Sequence, residues 1–539
     1  MSSVGKGVAS SSIAKVLQAR GYSVTCIKAD PYINVDAGTM NPIEHGEVFV
    51  TDDGYETDLD GGNYERFLDT NLCSANYMTT GLVYKSVIDR ERALGYGGKC
   101  VEVIPHIPDE IISRIHNAAK VSAADIAVIE IGGTVGEYQN QLFLEASRLM
   151  KLREPENIMT VMVSYMPTHG KYGEMKTKPT QFASRTLNAV GIQADIIIAR
   201  STEPLDEKRR KKLSVFCNVP TQNIISTPDV DLIYNVPLNF VADNLDNRII
   251  EILGLEERNP RNGELAEWDG FFKKVVGMTE PVRVAVVGKY FESGDFILGD
   301  VYISVLEAIK HASWSIGKKP VITYIPSQKF EKKEMCSALL DDIDAIVVPG
   351  GFGDRDVDGI INATEYSRKK GIPFLGICYG MQLACIEFAK NVLEIRDANT
   401  QEINPDGQNL IIRTMESQHI HISEQKYGGT MRLGAYPCVI KGGSLTEKLY
   451  KKTNTTERHR HRFEFNNEYR KVFQDAGMIF AGLSPDQELV EIVELRDHPF
   501  FIGCQFHPEF LSRPMSPSPL FRGLLEAANE RIKKSVLLS

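Results

Sequence analysis

The sequence lacks the features of a membrane-spanning or secreted protein. No apolar run approaches the roughly 20 residues that a transmembrane helix needs, and the N-terminus has no apolar signal-peptide core. The nine cysteines form no C-x-x-C pair and have no regular spacing, so neither a zinc site nor a disulfide framework is indicated. A net charge of −10 argues against non-specific binding to nucleic acid or anionic membranes. We therefore expect a protein of the reducing cytoplasm, without nucleic-acid or membrane partners.

The remaining composition is that of a globular enzyme, with 42% hydrophobic and 24% charged residues. The 539 residues are too many for one hydrophobic core, so at least two domains are expected. An amphipathic stretch at 140–152 lies between near-continuous apolar runs, which predicts a parallel sheet covered on both faces. These predicted strands span residues 24–28, 125–131, 157–165 and 194–200.

The same pattern restarts after a charged segment with Gly and Pro, which we interpret as a linker. The fold class is therefore α/β with two tandem domains, at residues 1–254 and 282–539, joined by the linker at 255–281. Buried strands of the second domain are predicted at 282–288, 320–326, 344–351 and 373–378.

The segment GICYG has the form of a nucleophile elbow. Gly376 and Gly380 bracket Cys378 between a predicted strand and helix, where side chains larger than hydrogen would clash. The positive N-terminal end of the helix favours a thiolate. A buried structural cysteine is the alternative, and it is the preferred interpretation for Cys385 on the same helix.

Two further motifs supply partners for this cysteine. In GCQFHPEF an apolar strand ends at His507, a candidate base, and Glu509 is placed to orient its ring. VPGGFG offers a glycine turn whose N–H groups, with that of Tyr379, are a natural oxyanion hole. Taken alone, His507 is also compatible with an ordinary strand end, and the glycine turn with simple chain reversal.

The motifs PGGFG, GICYGMQ and QFHPE, in this order, resemble those of the triad-type class I glutamine amidotransferases. The resemblance implies that glutamine is hydrolysed through a thioester on Cys378, with release of ammonia. Tyr379 departs from the leucine that is usual after the nucleophile. The implied glutamine contacts are Gly351, Tyr379, Gly380, Met381, Gln382, Glu402 and Arg462. The basic run at 458–462 is also compatible with a solvated strand or a structural anion site.

The first domain contains candidate sites for phosphates and metal. SSVGKG at residues 2–7 combines backbone N–H groups, a lysine and a helix start, although Gly7 replaces the Ser or Thr of a strict Walker motif. Asp60 and Glu130 would suffice for magnesium bound to a triphosphate. Asp60 is alternatively a hydrated loop acid.

A second anion site is predicted in GEMKTKPTQ, at residues 173–181. An extended segment would place Lys176 and Lys178 on the same side, since strand side chains alternate. Two cations held together favour an anion such as a second triphosphate. A solvated basic loop is the alternative.

These segments, with the stretch KADPYINVDAGTMNPIEHGEVFV at 28–50, resemble the CTP synthase family over essentially the whole chain. Further matching motifs are GGNYERF, VIPHIPDEI, IEIGGTVG, FCNVP and GGTMRLG. The resemblance implies a P-loop-type synthase half that phosphorylates O4 of UTP with Mg-ATP. Ammonia from the glutaminase half then displaces the phosphate, after passing a tunnel at Pro42, His45 and Val48.

Motif by motif, the resemblance implies further site residues. Magnesium would be held by Asp60 and Glu130, and Lys28 would be a catalytic lysine. ATP would contact Ser3, Val4, Gly5, Lys6, Gly7, Val8, Asp60, Pro228, Asp229 and Val230. UTP, or CTP as inhibitor, would contact Ser2, Glu137, Tyr138, Gln139, Lys176, Thr177, Lys178, Pro179, Thr180, Gln181 and Lys212.

The resemblance also implies regulation and assembly. GTP is expected as allosteric activator, CTP as feedback inhibitor, and a homotetramer as the assembly, with filaments in some members. Glu137 and Gln139 replace the Asp and Glu usual in the cytosine-sensing pocket, so altered CTP inhibition is expected. Arg355-Asp356 replaces Arg-Gly in the lid, which we expect to change GTP activation.

The phosphate loop follows the initiator Met directly, whereas family members place an apolar strand and a glycine pair before it. We expect the absence of this strand to leave a gap in the core, to cost several kcal/mol and to weaken ATP binding. One alternative is therefore a filament-forming or regulatory relative with a crippled synthase site. Another is an ATP-dependent amidase of the cobyrinic acid amide-forming type, although Cys378 and the lysine motif argue against it.

Overall fold

A computed structural model describes residues 4–169, 173–258, 263–293, 296–297, 299–415, 418 and 428–538; Ser2 and Ser3 lie outside these ranges. The chain forms two compact units, Met1–Asp36 with Asn63–Lys273, and Ala37–Gly62 with Lys274–Ser539. Residues 37–62, which the sequence predicts as part of the first domain, belong to the second unit. None of the helices formed by the described residues is long and apolar enough to span a membrane.

Helices and strands alternate along the first half of the chain, as the apolar runs predict. The helices are α1 Lys6–Ala19, α2 Pro42–His45, α3 Asp60–Leu68, α4 Thr80–Arg92, α5 Val103–Val121, α6 Gln141–Arg153, α7 Lys178–Ala189, α8 Glu207–Cys217, α9 Val236–Ala242, α10 Leu245–Ile252 and α11 Glu264–Val276. The strands are β1 Val24–Asp30, β2 Phe49–Val50, β3 Glu56–Thr57, β4 Tyr77–Thr79, β5 Ile126–Ile131, β6 Val161–Tyr165, β7 Thr168–His169, β8 Glu174–Met175, β9 Ile196–Ser201 and β10 Ile224–Pro228.

The first unit contains two parallel sheets of three strands, ordered β4-β1-β5 and β10-β9-β6. β1 and β9 are almost entirely buried, as expected for central strands. β5 and β6 are edge strands, and most of their residues are only half-buried although both sequences are strongly apolar. The α/β class is confirmed, but the first unit contains two three-stranded parallel sheets where the sequence predicts one parallel sheet.

One cavity of about 890 Å³ lies along both edge strands. Its walls include every residue of 125–131 and of 157–165. Apolar side chains of α1, among them Ile13 and Leu17, and of α6, among them Phe143, complete the lining. The cavity is therefore an apolar slot bordered by two strands, each of which is paired with another strand on one side only among the described residues.

Two segments differ from the sequence-based prediction. The stretch 173–181 is extended only through β8, because α7 begins at Lys178 with Pro179 in its first turn, a position that favours proline. The predicted linker contains the helix α11, and Trp268 of this helix is buried, with its indole N–H donating to the carbonyl of Tyr234 at 2.8 Å. The charged residues at the start of the predicted linker conceal the amphipathic pattern of this helix in the sequence.

The second half of the chain also alternates helices and strands. Its helices are α12 Ile303–Ser315, α13 Met335–Leu340, α14 Val357–Lys370, α15 Tyr379–Asn391, α16 Leu445–Tyr450, α17 Arg470–Asp475 and α18 Pro519–Leu538. Its strands are β11 Pro281–Gly288, β12 Glu292–Ser293, β13 Phe296–Ile297, β14 Lys319–Pro326, β15 Ala345–Val348, β16 Phe374–Ile377, β17 Asn399–Thr400, β18 Leu410–Thr414, β19 Arg432–Ile440, β20 Asn454–His461, β21 Phe463–Phe465, β22 Met478–Leu483, β23 Val490–Leu495 and β24 Phe501–Cys504.

A mixed nine-stranded sheet, ordered β14-β11-β15-β16-β24-β23-β22-β19-β20, organises the second unit. Its first five strands are parallel, and their carboxyl ends lie along one edge. Ile377 of β16 pairs with Cys504 of β24, and Val348 of β15 pairs with Gly376. This register brings the cysteine elbow, the histidine motif and the glycine turn together.

Candidate functional site

The loop between β16 and α15 holds Cys378 in the geometry of a nucleophile elbow. Its φ of 51° and ψ of −103° lie in a region that non-glycine residues rarely adopt. A Cβ on Gly376 would lie 2.8 Å from the carbonyl of Gly380, and one on Gly380 would lie 2.2 Å from the carbonyl oxygen of Val348. Both positions therefore require glycine, and the turn presents the thiol at the start of α15.

His507 and Glu509 form a buried pair beside this thiol. The Nδ1 and Oε1 atoms of the pair are 2.7 Å apart, which fixes the imidazole ring. A Cβ on Gly350 would lie 2.9 Å from Cε1 of His507 and 3.7 Å from Cβ of Cys378, so both side chains border one glycine. Burial lowers the pKa of His507, but the nearby Glu509 and Cys378 outweigh burial and raise it to about 10. The two neighbouring groups thus favour the protonated form of the imidazole.

Gln505 is a site residue to which the sequence analysis gave no role, although it lies inside a quoted motif. Its Nε2 is 3.5 Å from Sγ of Cys378. Its Oε1 accepts a hydrogen bond of 3.1 Å from Nε2 of Gln382, which also donates to the carbonyl of Phe463 at 3.1 Å. The two amides are thus fixed in orientation, and an N–H group directed at the sulfur stabilises a thiolate.

The glycine turn after β15 lies next to the thiol because β15 and β16 are neighbours. A Cβ on Gly351 would lie 3.7 Å from the ring of Tyr379 and 3.8 Å from the side chains of Lys289 and Tyr290. Three side chains therefore surround this glycine, and only Tyr379 was anticipated from the sequence. Lys289 and Tyr290 directly follow β11, where no motif marks them. Gly380 and Met381 are buried in the first turn of α15.

Glu402 and Arg462 are two further predicted glutamine contacts, and both already have protein partners. Oε1 of Glu402 accepts the N–H of Gly353 at 2.7 Å, and burial raises the pKa of this carboxyl group. The guanidinium of Arg462 donates to Oε1 of Gln418 at 2.6 Å and to Oγ1 of Thr430 at 2.9 Å. Both side chains are held in fixed positions before any ligand binds.

The basic run on β20 is an internal ion-pair site. Nε of Arg458 lies 2.6 Å from Oδ1 of Asp52, and Nε of Arg460 lies 2.8 Å from Oε1 of Glu56. Both acids belong to the segment 37–62, so these pairs attach it to the second unit. The carbonyl of Arg458 accepts the N–H of His507 at 2.8 Å. The interpretation as a solvated strand is therefore wrong for these two arginines.

The predicted tunnel residues lie in the same segment, 37–62. Pro42 and His45 are the first and last residues of α2, and Val48 is buried just before β2. The course of a tunnel from these residues stays a prediction.

The phosphate loop of the first unit ends at Gly5, whose φ of 84° favours glycine. Gly5 at the N-terminus of α1 has no side chain that could cap the helix, and Nζ of Lys6 donates to the carbonyl of Gly133 at 3.1 Å. Arg200, at the end of β9, was missed by the sequence analysis. A Cβ on Gly5 would lie 3.0 Å from its guanidinium, and its Nε lies 3.1 Å from Oδ1 of Asp229. No local motif in the sequence marks this arginine.

Lys28 and Glu130 are partners across β1 and β5. Nζ of Lys28 lies 3.0 Å from Oε1 of Glu130 and 3.8 Å from Oδ1 of Asp30, and the Tyr64 hydroxyl donates to Oε2 of Glu130. The lysine and the glutamate are both buried, so each compensates the charge of the other. Asp60 lies in the first turn of α3.

The predicted pyrimidine-nucleotide segment combines exposed cations with buried polar residues. Nζ of Lys176 lies 2.5 Å from Oε2 of Glu174. Thr177, Thr180 and Gln181 point inward, and Nε2 of Gln181 donates to Oγ1 of Thr177 at 3.0 Å. These three side chains therefore contribute to packing whether or not they also contact a nucleotide. Lys178, Pro179 and Lys212 are exposed.

The turn after β5 contains the predicted cytosine-sensing residues. Oε2 of Glu137 accepts the N–H of Thr134 at 3.0 Å, and this backbone hydrogen bond lowers the pKa of the glutamate. Tyr138 is 88% exposed and Gln139 is also exposed, so both are accessible to a ligand. Among the remaining predicted ATP contacts, Val4 and Gly7 are buried and Val8, Pro228 and Val230 are half-buried.

Comparison with known proteins identifies both halves of the chain. Residues 1–255 match the family model for the CTP synthase N-terminus, and residues 297–527 match that for class I glutamine amidotransferases. A solved structure, the glutaminase domain of Trypanosoma brucei CTPS with bound acivicin, is 37% identical and covers 46% of this chain and 94% of that chain, with a TM-score of 0.42.

Two curated relatives are similar over nearly their whole length. A CTP synthase of Prochlorococcus marinus subsp. pastoris is 46% identical, over 99% of this chain and 98% of its own. A CTP synthase of Pyrococcus abyssi is 49% identical, over 98% of this chain and 96% of its own. Identity of this extent, together with the two matching family models, shows that the chain belongs to the CTP synthase family.

Proposed function

We propose that the chain makes CTP by amination of UTP, with ammonia that its amidotransferase half releases from glutamine. The observation that carries the proposal is identity of 46% and 49% to proteins named CTP synthase, across at least 98% of the chain. The comparisons give no support to a regulatory or filament-forming relative with a crippled synthase site.

The test is formation of CTP by the purified chain from UTP, ATP, magnesium and glutamine, followed by absorbance. A parallel reaction with ammonium in place of glutamine tests the synthase half alone. CTP from ammonium but not from glutamine would contradict the glutaminase role of the Cys378 site. Absence of CTP with both nitrogen sources would contradict the function.

Glutamine hydrolysis is assigned to Cys378, His507 and Glu509. The thiolate of Cys378 attacks the γ-carbonyl carbon of glutamine, and His507 gives its proton to the leaving nitrogen as the C–N bond breaks. Ammonia leaves and a γ-glutamyl thioester remains. Neutral His507 then takes a proton from water, whose oxygen attacks the thioester, so glutamate and the initial thiolate–imidazolium pair are formed. The raised pKa of His507 beside Glu509 supports its role as the group that protonates the leaving nitrogen.

The negative oxygen of the tetrahedral intermediate needs two N–H donors. Tyr379 supplies one from the first turn of α15, and Gly351 supplies the other from the neighbouring glycine turn. Glu402 and Arg462 would bind the amino and carboxylate groups of glutamine. Their fixed positions support this assignment, since neither side chain has to be ordered on binding.

Nucleotide binding is assigned to the first unit. ATP phosphates would lie on Gly5–Val8 with Lys6 and Arg200 as cations, and the adenine near residues 228–230. UTP would use Lys176, Lys178 and Lys212, whose exposure supports anion binding. Lys28 would contact the phosphoryl group in transfer. Ser2 and Ser3 are included from the resemblance alone.

Magnesium is proposed as the partner of ATP, with Asp60 and Glu130 as ligands. Carboxylate oxygens are the hard donors that this ion requires, so the residue types fit. The buried Glu130 is stabilised in its charged form by Lys28 at 3.0 Å, as a metal ligand must be. When bound, the ion would neutralise the charge of the triphosphate.

The proposal also includes GTP as activator, CTP as inhibitor and a homotetramer, with filaments as in some family members; these rest on family membership. A cytoplasmic location is proposed as well, because scattered free cysteines are typical of proteins in a reducing environment. Arg355-Asp356, in place of Arg-Gly in the lid, is proposed to change activation by GTP.

CTP inhibition is expected to be weaker than usual for the family. Glu137 already binds the backbone of Thr134, and Gln139 has no carboxylate to accept from the cytosine amino group. Gln139→Glu should therefore lower the CTP concentration for half-inhibition by about tenfold, the effect of one charge-assisted hydrogen bond. The measurement is a CTP titration of ammonia-dependent synthesis. Potent inhibition of the unchanged chain, with no gain in the variant, would contradict this.

A further inference from the structure

The turn at residues 350–353 is held by side chains that the reaction scheme does not use. Nζ of Lys289 donates to the carbonyl oxygens of Phe352 at 3.2 Å and Gly353 at 2.6 Å. The Tyr379 hydroxyl donates to the same Gly353 carbonyl. The Tyr290 hydroxyl accepts the N–H of Phe352 at 3.1 Å and lies 3.3 Å from its carbonyl oxygen. These contacts hold the three consecutive peptide groups that follow Gly351.

Lys289 and Tyr379 also contact each other. Nζ of Lys289 lies 3.2 Å from the Tyr379 hydroxyl and 4.3 Å from the centre of its ring. Both side chains are buried, with 4% and 2% of their surface exposed, so these contacts are shielded from water and salt. The ammonium group therefore contacts two carbonyl oxygens and both the hydroxyl and the ring of Tyr379.

Tyr379 is connected to both proposed oxyanion donors. Its backbone N–H, directly after Cys378, is one proposed oxyanion donor. Its side chain reaches back across Gly351 to the turn that carries the other proposed donor. Leucine, the residue usual here in the family, has no atom that could donate to the Gly353 carbonyl.

We propose that Tyr379 and Lys289 form a clamp that positions the glycine turn, and that loss of the Lys289 proton opens the clamp. The proposal rests on the proposed glutaminase function. A neutral amine can donate fewer hydrogen bonds and gives up the cation–aromatic contact, so the carbonyl of Gly353 is held less firmly. The N–H of Gly351 then loses its fixed direction, and the oxyanion loses a preorganised donor. The side chains of both residues are positioning groups that do not touch the reacting atoms.

The charges around Lys289 set the pH at which this occurs. Burial lowers the pKa of Lys289, while Glu402, Asp356 and Asp354 raise it and Arg355 lowers it, with a net value of about 8. Ammonium is therefore present below pH 8 and is lost as the pH rises through about 8. Tyr290 and Tyr379 have raised pKa values through burial, so both phenols stay neutral in this range.

The first test compares Tyr379→Phe and Lys289→Met with the unchanged chain, measuring glutamate release from glutamine with GTP present. We expect kcat/KM to fall by about 3- to 10-fold when one neutral hydrogen bond is removed, and by about 10- to 100-fold when the charged donor is removed. Tyr366→Phe is the matched control, because its hydroxyl contacts Asp341 on the surface of the same unit. Glutaminase values within twofold of the unchanged chain for both clamp variants would overturn the proposal.

The second test is the pH profile, which a merely structural role would not change. Glutaminase kcat/KM of the unchanged chain should fall above pH 8, whereas Lys289→Arg, which keeps its charge, should retain activity to higher pH. Tyr379→Phe should move the fall, because it removes a contact of the ammonium group. A fall at pH 8 that persists in both variants would exclude Lys289 as its source.

Ammonia-dependent CTP synthesis at one fixed pH separates this proposal from the proposed function. If the clamp idea fails, CTP forms normally from both nitrogen sources in all variants. If the proposed function fails, the unchanged chain itself makes no CTP. Full ammonia-dependent synthesis in the variants also shows that they are folded.

Discussion

Replacing Cys378 by alanine is expected to abolish CTP formation from glutamine and to leave CTP formation from ammonia unchanged. The thiol forms the covalent bond in the proposed reaction, and neither His507 nor the oxyanion donors can replace it. Loss of a nucleophile from such a triad lowers the rate by roughly 10⁴-fold or more. The measurement is CTP formation with each nitrogen source and glutamate release without UTP.

Cys385→Ala is the matched control for this prediction. Cys385 lies two turns farther along α15 and is also buried, but burial raises the pKa of its thiol and no base is paired with it in the described structure. It should therefore keep glutamine-dependent activity within a few-fold. Glutamine-dependent synthesis by the Cys378→Ala variant, or its loss in the Cys385 variant alone, would assign the nucleophile elsewhere.

The positions of Cys378, His507 and Glu509 could be predicted from the sequence because each follows a strand within a short local motif, although β24 ends at Cys504 and not at His507 as the sequence suggested. Parallel pairing of β15, β16 and β24 then brings the three motifs to one edge. The strained turn at Cys378 is marked by two glycines that packing makes necessary. Local sequence motifs and simple sheet topology thus predict most of the arrangement of these three residues.

Lys289 and Arg200 could not be found in this way, because their role depends on distant contacts. Lys289 bonds carbonyl groups more than 60 residues away, and Arg200 meets a loop at the start of the chain. A lysine after a strand has no local signature that separates it from a solvated surface cation. The pairs of Arg458 and Arg460 with residues 52 and 56 are equally non-local, and they explain why the segment 37–62 joins the second unit.

The helix start at Lys178 was missed for a different reason. The exposed, buried, exposed order of residues 176–178 is also compatible with a strand, and the expectation that the two lysines share a side rested on an extended backbone. Pro179 was the overlooked signal, since proline favours the first turn of a helix. The helix α11 was also missed, because its apolar positions follow a run of charged residues.

Adding an apolar strand ahead of the phosphate loop is expected to raise the melting temperature by roughly 10 °C and to tighten ATP binding. The slot between β5 and β6 has a volume of about 890 Å³ and apolar walls, so filling it should gain several kcal/mol. The contact of Lys6 with Gly133 puts the start of α1 at the carboxyl end of β5. A strand joined to this loop and filling the slot is therefore expected to run parallel to β5 and β6.

The sharpest form of this experiment uses two fusions of equal length. One carries six β-branched apolar residues and two glycines before the loop, because a strand covered on both faces is apolar throughout. The other carries a proline and two aspartates within the same six positions, which cannot pair on two sides or enter an apolar slot. A gain in melting temperature and ATP affinity for the first fusion alone identifies the slot as a strand site. Equal values for the two fusions would mean that the cavity has another use and that the two sheets are stable as separate halves.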